Sequence, residues 1–212
     1  MSTIFSKEKQ IIFFHIPKTG GITISDSIMK HDPSFFPIDA SSYDYRIFDG
    51  TVKIHESYLR LLYPNTNIKD YIKITVIRNP FDKLVSSYRM MCSNIPFDAF
   101  LNHILLQTMP SGFYDHPVLQ RSAYQDFIWH SYISQYDHCI NNNNEFAIDH
   151  IIKYENLKTE FKEIIDKYEL SELIVENFYN SEYECKYRHY YNDSMLDKIY
   201  QLFKKDFNYF GY

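Results

Sequence analysis

The chain has 212 residues, of which 45% are hydrophobic and 23% charged, the composition of one medium-sized globular domain. Its formal net charge of −5 speaks against non-specific nucleic-acid binding, which needs a basic face, but leaves room for a local basic pocket that takes a small anion. Cys92, Cys139 and Cys185 are few and widely spaced, so they make neither a zinc-ligand pattern nor a disulfide framework and fit three free thiols in a reducing compartment.

Met1 to Gln10 is polar and carries charge of both signs, unlike a signal peptide. The apolar run Ile11 to Phe14 that follows is far shorter than the roughly 20 residues a membrane span requires. A cytoplasmic protein with no membrane partner is expected. That run leads at once into Pro17, Gly20 and Gly21, the pattern of a buried parallel strand entering a tight loop. Thr23 to Lys30 reads as a helix, and residues 31–50 as an irregular segment rich in Asp, Ser, Pro and aromatics. Thr51 to Ile54 alternates weakly and reads as a short strand ending at His55, with a helix over Tyr58 to Leu62.

Tyr71 to Ile77 is apolar and β-branched, a strong strand candidate. It ends at Arg78-Asn79-Pro80, and Pro80 suits the first position of a helix. Helical spacing recurs in Phe97, Phe100, Leu101, Ile104 and Leu105, in Leu157, Phe161, Ile164, Ile165 and Tyr168, and in Leu196, Ile199, Tyr200 and Phe203. Phe146 to Tyr154 holds a further strand, and the Asn141 to Asn144 patch a surface loop. Strands alternating with amphipathic helices imply an α/β single domain over residues 1–212, with a mainly parallel central sheet flanked by helices. The 20 Tyr and 17 Phe read first as packing residues, since a tyrosine buries its ring and still offers a hydroxyl.

Two segments carry chemistry. In Pro17-Lys18-Thr19-Gly20-Gly21-Ile22-Thr23 a strand ends, two glycines let backbone amides approach a ligand, and a helix starts. Free N–H groups and the positive end of the helix dipole then face one spot, to which Lys18 adds a charge and Thr19 and Thr23 add hydroxyls. The Walker order is absent because Lys18 precedes the glycines, and the second strand ends in Arg78 rather than a carboxylate. The cup therefore suits an anion handled without a metal. The second segment, Ile74 to Tyr88, is again strand, turn and helix. Arg78 offers a planar fork for phosphate oxygens, and Ser86 follows about two helical turns on. The alternatives are a pairing of Arg78 with Asp82 and a plain surface hydroxyl at Ser86.

Together the two segments resemble the PAPS-dependent carbohydrate sulfotransferases, the group of heparan sulfate 2-O-sulfotransferase and the chondroitin sulfotransferases (PAPS is 3′-phosphoadenosine 5′-phosphosulfate). The resemblance assigns Pro17 to Thr23 to the 5′-phosphosulfate, and Arg78 with Ser86 to the 3′-phosphate. It implies a P-loop-NTPase-like sulfotransferase fold, PAPS as donor, PAP as product and a hydroxyl of a carbohydrate as acceptor. Ile22 departs from the Thr or Ser usual at its position, which removes a hydroxyl donor. Val52-Lys53-Ile54-His55 is similar to the strand that leads to the family's active-site histidine, and Ile151 to Leu157 to the strand that ends in Glu-Asn-Leu. Tyr190-Tyr191-Asn192 and Asp206 to Tyr212 are similar to the closing helix and tail.

On this footing Lys18 stabilises the charge that builds on the leaving phosphate, and His55 is the base for the acceptor hydroxyl, because imidazole titrates near neutrality. Glu56 is the fallback base. Arg188 closes over the nucleotide or belongs to a solvated basic face, and His15 orients the loop. Residues 31–50 and 106–125 are the acceptor-facing segments, as surface loops commonly are. Two other functions compete: a P-loop kinase using ATP, and a non-catalytic nucleotide- or glycan-binding module.

Overall fold

The computed structural model describes residues 3–38, 50–106, 108, 131–171 and 186–212. Most of the two expected acceptor-facing segments, and Cys185, lie outside them. The chain divides into two compact units, one formed by Met1–Arg78 with Asp137–Tyr183 and one by Asn79–Tyr136 with Glu184–Tyr212.

The first unit is built on a five-stranded sheet in the order β3-β1-β2-β4-β5. Its strands are β1 (Ile4–Ser6), β2 (Ile11–Phe14), β3 (Phe36–Pro37), β4 (Ile72–Ile77) and β5 (His150–Lys153). The pairings of β2 with β4 and of β4 with β5 are parallel, whereas β1 pairs antiparallel with both β2 and β3. The expectation of a mainly parallel, P-loop-NTPase-like sheet is overturned by this mixed order. Helices also dominate the described residues, the strands being only two to six residues long. The physical reason lies in the first ten residues. Lys7 to Gln10 turn back with Gln10 at φ 54°, so the buried Ile4-Phe5-Ser6 folds onto β2 as a hairpin, the cheapest connection between adjacent strands.

Helices cover both faces of the sheet. Strand side chains alternate in direction, and Ile11, Phe13, Ile74, Val76 and Ile152 share one apolar cluster with Ile24 and Ile28 of α1 (Gly21–His31) and with Phe161, Ile164 and Ile165 of a later helix (Leu157–Tyr168). On the other face Phe5, Ile12 and Phe14 meet Val52 and Leu59 of α2 (Thr51–Leu62). β2 is buried along its whole length, which is why it reads as a continuous apolar run.

Thr51 to His55 is therefore helical and not a strand. Val52, His55, Glu56 and Leu59 fall on the buried side of one helix at i, i+3, i+4 and i+7 spacing. The weak alternation of Thr51 to Ile54 is compatible with either period. The start of α2 is fixed from elsewhere in the unit. His138 Nδ1 accepts from the Thr51 backbone N–H at 3.2 Å, so a distant side chain satisfies a helix-start donor. A Cβ on Gly50 would collide with the Asp137 carbonyl oxygen, so only glycine admits that approach.

The second unit is helical: α3 (Pro80–Met91), α4 (Phe97–Leu106), and two closing helices at Asp193–Leu202 and Lys204–Phe210. Asn79 caps α3 by accepting from Phe81 N–H at 3.0 Å, with Pro80 at the first position. Aromatic residues fill this unit. Phe81 stacks on Tyr187 at 5.3 Å and meets Phe207 at 4.8 Å, and the Tyr191 hydroxyl donates to the Phe81 carbonyl at 3.0 Å.

Beneath them lies a buried ionisable pair. Lys83 is 2% exposed, and its Nζ donates to the Ile133 carbonyl at 3.3 Å. Asp206 accepts from the backbone N–H groups of Gln135 and Tyr136, both at 2.9 Å. Burial pushes the Lys83 pKa down from 10.5 to about 8, against the opposing pull of Asp206. Between those two values the unfolded chain holds a proton that the folded chain has lost, so stability rises with pH across that window. The gain is on the order of 3 kcal/mol at most. Urea unfolding of wild type and Lys83→Met at pH 7.5 and 10 checks this: the wild-type midpoint should rise relative to that of the variant, and equal pH dependence in the two would refute it.

Candidate functional site

The starts of the two segments expected to hold anions lie side by side at one end of the first unit's sheet. β2 and β4 are parallel neighbours, with Phe14 opposite Thr75, so the loop that leaves β2 and the residue that leaves β4 emerge together. The loop is held in a strained form. Lys18 is left-handed at φ 68°, and Gly20 at φ 85°, a region costly for a residue with a Cβ. Buried Thr19 donates its hydroxyl to the Ile16 carbonyl at 2.8 Å, so it closes the loop from within. Ile22 is 58% exposed and Thr23 is exposed on the first turn of α1. The apolar residue at 22 thus faces solvent without disturbing the core, and the first backbone N–H groups of that turn have no partner within the helix.

His15 sits beneath this turn. It is buried, and a Cβ on Gly21 would fall 3.0 Å from its ring. Pro17 is buried beside it.

Arg78 donates from Nη1 to the Lys18 carbonyl at 3.2 Å. Its guanidinium also lies over the ring of Tyr154, 4.3 Å from the centroid, within cation–π range. Lys18 is partly buried, and its pKa is lowered, first by that burial and then by the charge of Arg78. The two cations repel each other. A polyanion placed between them relieves the repulsion and restores the charged form of Lys18. The residues present therefore fit an anion that carries several negative charges.

His55 is on α2, one turn from its start. It is 7% exposed, with its ring 6.5 Å from that of Phe14, the last residue of β2. Its Nδ1 lies 2.8 Å from the Thr51 carbonyl oxygen. A carbonyl only accepts, so Nδ1 carries the proton and Nε2 the lone pair. Burial lowers the His55 pKa from 6.5 to about 4, outweighing the Thr51 hydrogen bond that raises it. The imidazole is therefore neutral at physiological pH. The same first turn of α2 touches the loop, because the Thr51 hydroxyl donates to the His15 carbonyl at 3.3 Å.

Glu56 serves a different purpose from that of a base. Its buried carboxylate pairs with Lys73 Nζ at 3.0 Å and stands 3.8 Å from Arg60. Lys73 is five residues before Arg78, about 16 Å along an extended strand, so this ion pair marks the opposite end of β4. The remaining candidates belong to the second unit. Ser86 is half-buried on α3, and Arg188 is exposed in the short 3-10 turn Lys186–His189.

Three residues at this site escaped the sequence reading: Gly50, His138 and Tyr154. A lone histidine in a polar stretch and a tyrosine among 20 carry no local signal. Among the described residues no group of three or more His, Cys, Asp or Glu is placed to hold a metal ion, and no helix is long and apolar enough to cross a membrane.

A loop with left-handed Lys18 and Gly20, an adjoining arginine and a neutral histidine thus lie near the ends of β2 and β4. Over residues 1–212 the chain matches the sulfotransferase family, and it belongs to that family. Membership makes it an enzyme of the sulfuryl-transfer type and implies a donor of the PAPS type. No curated protein and no solved structure matches it.

Proposed function

We propose that the protein moves the sulfuryl group of PAPS onto a hydroxyl of a carbohydrate acceptor and releases PAP. The observation that supports this most is the contact between Arg78 and the Lys18 carbonyl, 3.2 Å long. It brings a loop suited to one phosphate and a fork suited to another into one neighbourhood, as a nucleotide with phosphate at both ends requires. The acceptor oxygen attacks sulfur in line, the bond from sulfur to the bridging oxygen of the 5′-phosphate breaks, and its electron pair stays on PAP. Lys18 and the first N–H groups of α1 meet that developing charge. His55 Nε2 takes the proton of the attacking hydroxyl. The resemblance to carbohydrate sulfotransferases adds Ser86 as a second ligand of the 3′-phosphate and Arg188 as a cation over the nucleotide. The same resemblance supports a sugar as acceptor.

Calorimetry without divalent cations tests the donor. PAP should bind in the micromolar range, and clear binding of magnesium ATP with none of PAP would replace this function by that of a kinase. Transfer from radiolabelled PAPS across a panel of sugars then tests the acceptor. PAP binding with no transfer to any hydroxyl compound would leave a non-catalytic binding module.

A further inference from the structure

Tyr154 belongs to neither anion motif, yet it touches both. One face of its ring carries the Arg78 guanidinium. Its edge fills the space beside Gly20, where an added Cβ would fall 2.7 Å from Tyr154 Cε2. The ring is itself firmly placed. β5 ends at Lys153, and the 3-10 turn Tyr154–Asn156 follows. Glu160 ties this turn down by accepting from the Lys153 N–H at 2.7 Å and from Asn156 Nδ2 at 2.9 Å. Tyr154 also packs against the apolar core of the unit.

A guanidinium is planar, so its aim is set by what holds its edge and what holds its face. The Lys18 carbonyl holds an edge of Arg78, and Tyr154 holds the face. Removing the ring leaves the charge of Arg78 and its bond to the Lys18 carbonyl in place but takes away the surface against which the guanidinium plane lies. The arginine then still attracts anions in general and loses the fixed fork that favours a phosphate at one position. We infer that Tyr154 is a positioning residue that aims Arg78, and so gives the site its preference for an adenine nucleotide bearing a 3′-phosphate. This rests on the donor assignment made above.

The test compares the affinities of PAP and of AMP, which lacks the 3′-phosphate, for the full chain. Wild type should prefer PAP. Tyr154→Leu should shrink that preference about tenfold by weakening PAP while leaving AMP little changed, and Tyr154→Phe, which keeps the ring, should retain it. In an Arg78→Ala background Tyr154→Leu should change the ratio no further. Equal weakening of PAP and AMP would reduce Tyr154 to loop packing and overturn the inference, as would an additive loss in the double variant. Tyr154→Met, which keeps apolar bulk beside Gly20, carries the same comparison if the leucine variant does not fold. A wild type that binds no PAP is a separate result, and it defeats the donor assignment itself.

Discussion

Lys18→Ala is expected to lower kcat by about a hundred- to a thousandfold, the usual effect of removing one donor aimed at developing charge. Lys18 stands in the loop that leaves β2, beside the first turn of α1. In the function proposed above, its ammonium meets the charge that grows on the 5′-phosphate as the sulfur–oxygen bond breaks. The effect should appear mainly in kcat, because that charge is larger in the transition state than in the bound donor. Burial and Arg78 both lower the Lys18 pKa, so its proton is lost more easily than that of an exposed lysine. The alkaline limb of kcat/KM should accordingly fall below the ordinary lysine range, while the bound donor's negative charge moves the limb of kcat higher. Single-turnover rates for wild type and variant across pH check both points, and a wild-type rate in Lys18→Ala would remove the loop from the mechanism.

His55→Gln should lower turnover by about 10²–10⁴ while PAP affinity stays near that of wild type. Glutamine keeps polar bulk at a buried position and offers no base of useful strength. The acid limb of the wild-type profile is the sharper measurement. A base acts only when neutral, and burial sets the His55 pKa at about 4 in the free protein. The limb of kcat/KM should therefore lie near pH 4, well below the ordinary histidine value. The bound donor's negative charge stabilises the imidazolium, so the limb of kcat should lie higher than that of kcat/KM. Full activity in His55→Gln would exclude His55 as the base. The same shift has a consequence for stability. Between pH 6.5 and about 4 the unfolded chain gains a proton that the folded chain refuses, so stability falls as pH drops through this window. His55→Gln should flatten that dependence.

Much of the local structure was legible. The helices Gly21–His31, Pro80–Met91, Phe97–Leu106 and Leu157–Tyr168 follow the apolar spacing, and Asn79-Pro80 marks the start of one of them. β2 and β4 follow their apolar, β-branched runs. Ile4 to Ser6 did not stand out, because three residues in a polar stretch are too few to show a period. That omission produced the expectation of a mainly parallel sheet. The helix Thr51–Leu62 was misread over its first turn because Val and Ile favour strands in isolation. Packing against Phe14 and capping by His138 decide the matter in the folded chain.

The sequence by itself carried the local pattern behind the anion reading: a lysine before two glycines at one strand end and an arginine at another. It determined the family as well, since those residue types and spacings are local. Tertiary structure alone decided that β1 returns antiparallel, that Glu56 is consumed by Lys73, that His55 is buried and neutral, and that Tyr154 backs Arg78. These are relations between residues far apart in the chain. They depend on which faces are buried against which, and burial is a property of the folded whole that no short stretch of residues encodes.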